Sequence, residues 1–146
     1  MAASSLRAPS ARDSAGVDAA LLVLRLVLGV LMLLHGIGKL PSPPDFIVGA
    51  LAKAGLPSVL AYGVYLGEIV GPVLIIIGVW TRLGAFLIAG NMVVAVLMAH
   101  TGDLFHMNKE GGYALELQAM YLFTAVALVL TGAGRYSVGG RYGPLN

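Results

Sequence analysis

The sequence has no cysteine, which excludes disulfides, thiolate metal sites, iron–sulfur clusters and thiol redox chemistry as activities of the chain itself. It is also short of charge. Only 11% of its 146 residues are Asp, Glu, Lys or Arg, against about 25% in an ordinary soluble domain. Nine basic and seven acidic side chains cannot cover a water-soluble globule of this size. What replaces them is apolar: 58% of residues are hydrophobic and the mean hydropathy is +0.88. The composition places the chain in lipid. A net charge of +2 and a pI near 9.1 come from basic residues scattered along the chain, without the clustering and aromatic interleaving that nucleic-acid binding requires. No glycine loop has the spacing for phosphate binding, and no nucleophile elbow is present. HGIGKL at 35–40 lies at the end of an apolar run and lacks that spacing.

A membrane-crossing helix needs about 20 apolar residues, and the length accommodates four. The apolar pattern predicts an all-α, antiparallel up-down bundle of four transmembrane helices, with spans at about 19–38, 59–80, 83–100 and 113–131. Residues 1–18 read as a flexible tail and 139–146 as a C-terminal tail, with the membrane domain between them. The first run ends in HGIGKLPSPP and not in a cleavage box, so it reads as an uncleaved helix stopped by Pro41, Pro43 and Pro44. DFIVGALAKAGL in the first connection reads as a short interfacial helix, and Trp80–Arg82 as a tight turn. Four crossings put both termini on one face. Arg7, Arg12, Arg82, Arg135 and Arg141 there outnumber Lys39, Lys53 and Lys109 on the other, so the expectation is a multi-pass protein of the cell inner (cytoplasmic) membrane with cytoplasmic termini.

Three charged residues fall inside predicted spans: Arg25, Glu68 and Glu116. Charge at that depth is expensive and faces a partner or a cavity. Arg25, Met32, His35, Gly36 and Lys39 share one helical face at 100° per residue. Pro72 lacks the N–H that would bond the Glu68 carbonyl, so a bend is expected beside an acid. Glu68 then reads as a partner for Arg25, as a ligand- or proton-handling carboxylate, or as a protonated acid bonded within the core. Glu116 reads as a loop-capping group or as a partner of His35 and His100. The candidate polar pocket therefore comprises Arg25, His35, Glu68 and Glu116, with Met32, Gly36, Lys39, Gly71, Pro72 and His100 as its lining. Gly63, Gly67 and Gly71 form a doubled small-residue stripe suited to helix packing within the chain or between copies. Asn91 reads as an interhelical hydrogen-bonding residue. His100, Asp103 and His106 have ligand-like spacing, but Gly102 and the loop context break their common facing, and no metal site is assigned.

With these residues in view, the sequence resembles the DoxX family of small four-helix membrane proteins. LLVLRLVLGVLMLLHGIGKL carries the resemblance through Arg25, Gly29, His35, Gly36 and Lys39, and GEIVGPVLIIIGVWTRLGA through Glu68, Gly71, Gly78, Thr81 and Arg82. GGYALELQAMY and GAGRYS add Glu116, Gly132, Gly134, Arg135, Tyr136 and Ser137. The chain departs from the usual family ending, where an acid follows the GRYS segment; here that position is Gly139.

The resemblance implies several activities: relatives include quinone-linked thiosulfate-oxidising subunits, a mycobacterial component of an oxidoreductase complex, and proteins like a eukaryotic cargo receptor. The leading expectation is a quinone- or small-molecule-binding subunit of a membrane oxidoreductase system, with a peripheral or membrane redox enzyme as partner and no catalytic constellation of its own. A non-catalytic scaffold that recruits a partner or cargo is the second, and a small proton-coupled transporter the third.

Overall fold

A computed structural model describes residues 11–40, 45–53, 55–109 and 111–146, without the side chains of 11–13 and 46. The first ten residues of the expected tail lie outside it, as do Pro41, Pro43 and Pro44, the expected stop of the first span. The chain is helical throughout its apolar runs. Among the described residues five α-helices form: α1 (Ala11–Lys39), α2 (Asp45–Lys53), α3 (Gly71–Ile77), α4 (Thr81–Ala99) and α5 (Glu116–Thr131). Residues 11–18, expected as tail, are the first two turns of α1.

The four-span bundle is not what the chain builds. Among the described residues three segments are long and apolar enough to cross a membrane: Ser14–Lys39, Ser58–Ile77 and Thr81–Ala99. The last helix has 16 residues, about 24 Å against a hydrocarbon thickness of about 30 Å. Its start is delayed because the preceding residues are folded otherwise. Met107 bridges Tyr113, Asn108 N–H donates to the Gly112 carbonyl, and the Tyr113 hydroxyl donates to the Leu104 carbonyl. Its end is set by Gly132, at φ +80°. The count of basic residues that placed both termini in the cytoplasm depended on four crossings and does not survive this.

The second span is not one regular helix. It runs as a 3-10 segment (Ser58–Gly63), a π-helical turn (Leu66–Val70) and α3. Pro72 supplies the reason. Without its N–H the ladder cannot close i→i+4 on Glu68, and the register widens, with Gly71 N–H donating to the Leu66 carbonyl five residues back. Gly78, at φ +77°, ends α3, and Trp80, at φ +49°, starts α4 after only three residues. The turn forms at Gly78–Trp80, slightly ahead of the expected Trp80–Arg82.

Helices α1, α3, α4 and α5 pack around Leu28, Met32, Ile75, Ala85, Ile88, Met92, Ala125 and Leu128. On α1 the buried stripe is Arg25, Leu28, Met32 and Gly36, while Val23, Val27, Val30 and Leu34 point outward at the same spacing. Outward aliphatics of this kind are at home in hydrocarbon, where helices keep every backbone bond internal. Small residues set the closest approaches. Gly67 lies on the Asn91 side chain, Gly71 on the Gly84 carbonyl, and Gly36 on the Glu68 carbonyl. Of the two uses open to the stripe, packing within the chain takes Gly67 and Gly71, which meet α4, while Gly63 meets nothing within 4 Å.

A Gly71→Ala side chain would stand 2.7 Å from the Gly84 carbonyl oxygen. It is expected to cost about 1–3 kcal/mol through overpacking. Gly63→Ala is expected to stay within about 0.5 kcal/mol of the parent. Thermal unfolding of both variants in detergent checks the pair.

Candidate functional site

Two of the three charged residues within the apolar runs, Arg25 and Glu68, sit in separate polar clusters. Arg25, 1% exposed, does not meet Glu68. Its Nη1 donates to the Ala133 carbonyl at 2.7 Å and its Nη2 to the Tyr136 carbonyl at 3.0 Å. Both acceptors belong to residues 132–146, which fold back over one end of the helices as a C-terminal clasp. Lys39, fourteen residues beyond Arg25, lies about 21 Å further along the helix axis. There its Nζ pairs with Glu68 Oε1 at 2.5 Å. The expected Arg25–Glu68 pair is replaced by these two arrangements.

The clasp closes the helix ends. Arg82 Nη1 donates to the Val129 and Leu130 carbonyls, two of the acceptors that the end of α5 leaves without intrahelical donors. A cation at a helix C-terminus is also favoured by the helix dipole. At the start of α4, Thr81 N–H donates to Asn146 Oδ1 at 3.0 Å and Arg82 N–H to the Leu145 carbonyl at 2.8 Å. Asn146 Nδ2 donates to the Gly78 and Gly140 carbonyls. Asp18, buried on α1, accepts from Arg135 N–H at 3.0 Å and from Arg141 Nη2 at 2.6 Å. The sequence does not single out Asp18, Arg141 or Asn146. Asp18 lies seven residues before Arg25 on the same helical face, a spacing that marks it in retrospect. No local pattern marks Asn146.

The second cluster is centred on Glu68, 3% exposed in the π-helical turn. Oε1 accepts from Lys39 Nζ and from Asn91 Nδ2 at 3.3 Å. Oε2 is buried and has no hydrogen-bond partner among the described residues. Gly67 brings Asn91 close enough to reach the acid, and Gly36 lets α1 pass directly over the Glu68 backbone. The Tyr65 hydroxyl contacts the Lys39 carbonyl at 3.4 Å. Lys39 itself is 43% exposed and is the member of the cluster that opens outward. An acid with one oxygen bonded and the other bare, deep in protein, can accept a hydrogen bond from a ligand or hold a proton.

The remaining candidates are dispersed. His35 is exposed on α1, its Nδ1 3.3 Å from the Leu31 carbonyl oxygen and its ring edge-on to Tyr121 at 6.1 Å. Met32 is fully buried in the core. Gly71 and Pro72 are buried at the start of α3. Glu116 is exposed at the first position of α5, beside Gly112. His100 pairs with Asp103 at 3.1 Å, while His106 turns to the Gly102 carbonyl at 2.6 Å. Among the described residues no three His, Asp or Glu side chains converge as metal ligands. An open cleft of about 410 Å³ lies between α1, the end of α5 and the clasp, apart from Glu68.

Arg25→Gln is expected to loosen the clasp by about 3 kcal/mol, the lower end for two charge-assisted hydrogen bonds. The readout is limited trypsin digestion, in which cleavage at Arg135 and Arg141 accelerates while the helical core persists.

The model of the DoxX family matches residues 20–101, more than half of the chain and including Arg25, Lys39, Glu68, Arg82 and Asn91. The clasp and Glu116 lie beyond that match. An uncharacterised protein of Haemophilus influenzae is 33% identical over 122 residues, covering 82% of this chain and 87% of the relative. "Putative oxidoreductase CatD" of Bacillus subtilis is 30% identical over 112 residues, covering 77% and 78%. No solved structure matches. Three membrane-length apolar segments among the described residues and the family match agree: the chain belongs to the DoxX family of membrane proteins.

Proposed function

We propose that the protein is a non-catalytic subunit of an oxidoreductase system in the cytoplasmic membrane, and that Glu68 holds the polar end of a small amphipathic, quinone-like molecule. The observation that carries this reading is Glu68 Oε2, a buried carboxylate oxygen with no donor. Such a group is costly unless something completes it. A ligand hydroxyl matches the bare acceptor, and Lys39, half exposed, supplies a donor for a ligand carbonyl. These two groups fit the carbonyl oxygens of a quinone and the hydroxyls of its reduced quinol. When bound, a quinone supplies two-electron, two-proton carrier chemistry. The chain's residues orient the ring end, shield it from water and hold a proton at Glu68; electrons come from a partner redox enzyme. The relation to a protein named as an oxidoreductase supports the same direction. Arg25 has no part in this site, because the clasp occupies it.

A second reading, in which the cluster only ties helices together, is favoured by the short Lys39–Glu68 pair that joins α1 to the π-helical turn. The two separate in one experiment. Purified protein is titrated with a short-chain ubiquinone analogue in its reduced quinol form while thermal unfolding is followed, since a ligand that binds only the folded state raises its apparent stability. The expected result is a saturable stabilisation whose half-point moves at least about tenfold in Glu68→Gln, the equivalent of about 1.4 kcal/mol. Absence of any stabilisation, or equal affinity in Glu68→Gln, overturns the quinone reading. Failure of Glu68→Gln to assemble supports the packing reading.

A further inference from the structure

The geometry points to a binding site for an anionic phospholipid in the cleft between α1 and the C-terminal clasp, independent of the Glu68 cluster. The cleft, about 410 Å³ and open to the outside, is lined by Val17, Asp18 and Leu21 on α1, Thr131 at the end of α5, and Gly134 and Arg141 in the clasp. One wall is aliphatic and continues into the outward face of α1, where Val17 is exposed beside the hydrocarbon-facing stripe. The other wall carries a guanidinium. An acyl chain and an anionic headgroup need those two walls in that order.

Charge supplies the second half of the inference. Among the described side chains, this end of the protein carries Arg25, Arg82, Arg135 and Arg141, and a single acid, Asp18. Among the described residues, Arg25 bonds only to the Ala133 and Tyr136 carbonyls, and Arg82 to the Val129 and Leu130 carbonyls and the main-chain oxygen of Asn146, so no carboxylate side chain pairs with either of them. Asp18 is fully engaged by the Arg135 N–H and by Arg141 Nη2, which reaches both of its oxygens. Arg141 makes those bonds through one nitrogen and remains 42% exposed at the cleft. The Asp18 pair therefore fixes the position of Arg141 without cancelling the surplus positive charge around it. A phosphate diester fits this surplus, because a guanidinium presents donors in a planar fork that matches phosphate oxygens. Tyr136, Val138 and Tyr142 are exposed on the same clasp, and amphipathic rings of this kind sit at headgroup level. The side chain of Arg135 is exposed beside them.

The test uses the full chain, purified in detergent and stripped of lipid, then titrated with phosphatidylglycerol or phosphatidylcholine of identical acyl chains and read by native mass spectrometry. The expected result is a preference of at least about tenfold for phosphatidylglycerol, given that each basic residue near an anionic headgroup contributes roughly fivefold. The double variant Asp18→Asn with Arg141→Gln removes the guanidinium without leaving a buried unpaired acid, and is expected to lose most of the preference. Arg135→Gln changes an exposed side chain whose residue bonds Asp18 only through its backbone N–H. It is expected to fold normally and to lose several-fold. Equal binding of the two lipids overturns the proposal, as does a preference that survives in both variants. Displacement of bound phosphatidylglycerol by millimolar inorganic phosphate also overturns it, assigning the site to a free anion.

Discussion

A helix in hydrocarbon can satisfy its own backbone everywhere except at its ends, and an irregular helix cannot satisfy it even in the middle. This protein is organised around meeting that requirement with very few polar side chains. Where α3 gives way to α4 in three residues, the unpaired N–H groups of Thr81 and Arg82 are taken up by Asn146 and Leu145. Where α5 stops at Thr131, Arg82 takes up two of its carbonyls, and Arg25 binds the carbonyls of the segment that follows. The clasp is therefore a structural part of the helical assembly. Its residues supply the capping groups that water supplies in a soluble protein.

The same requirement explains the second cluster. Pro72 opens the ladder at Glu68, the register relaxes to a π turn, and the space beside it is filled by Gly36 from α1 and by Asn91 across Gly67. Irregular backbone at this depth is tolerated where protein covers it, and here two glycines allow the cover to come close. The result is a carboxylate whose one oxygen is fastened from two helices and whose other oxygen is left bare. One end of the protein thus ties the helix ends together, and the other presents an acid with one oxygen that no described residue bonds.

Much of the site was legible because charge is rare in this chain. Arg25 and Glu68 stand out from their apolar surroundings without any structure, and both turn out buried and hydrogen bonded. Their partners were not legible. Pairing them with each other follows from opposite charge and approximate depth, but long side chains and a folded-back segment offered Arg25 nearer acceptors than Glu68. A 100° repeat puts His35 on the inward face, yet at the end of α1 the neighbouring helices leave that position exposed, with the Tyr121 ring edge-on to it. Glu116 falls where the expected span is helical, but the loop from Leu104 to Tyr113 holds its own hydrogen bonds and delays the helix until that very residue.

Composition by itself determined the medium: too little charge for water, no thiol for redox chemistry, and apolar runs long enough to cross lipid. Local sequence determined the break at Pro72, the turn after Gly78 and the small-residue approaches at Gly67 and Gly71. Only the tertiary structure decided that three segments and not four have membrane length, that Lys39 and not Arg25 meets Glu68, and that the last fifteen residues cap the helices. The physical reason is range. Periodicity and propensity act within a few residues, whereas Arg25 to Ala133 and Asp18 to Arg141 join positions more than a hundred residues apart. Contacts across that separation are chosen by which backbone groups are left unbonded once the helices have packed.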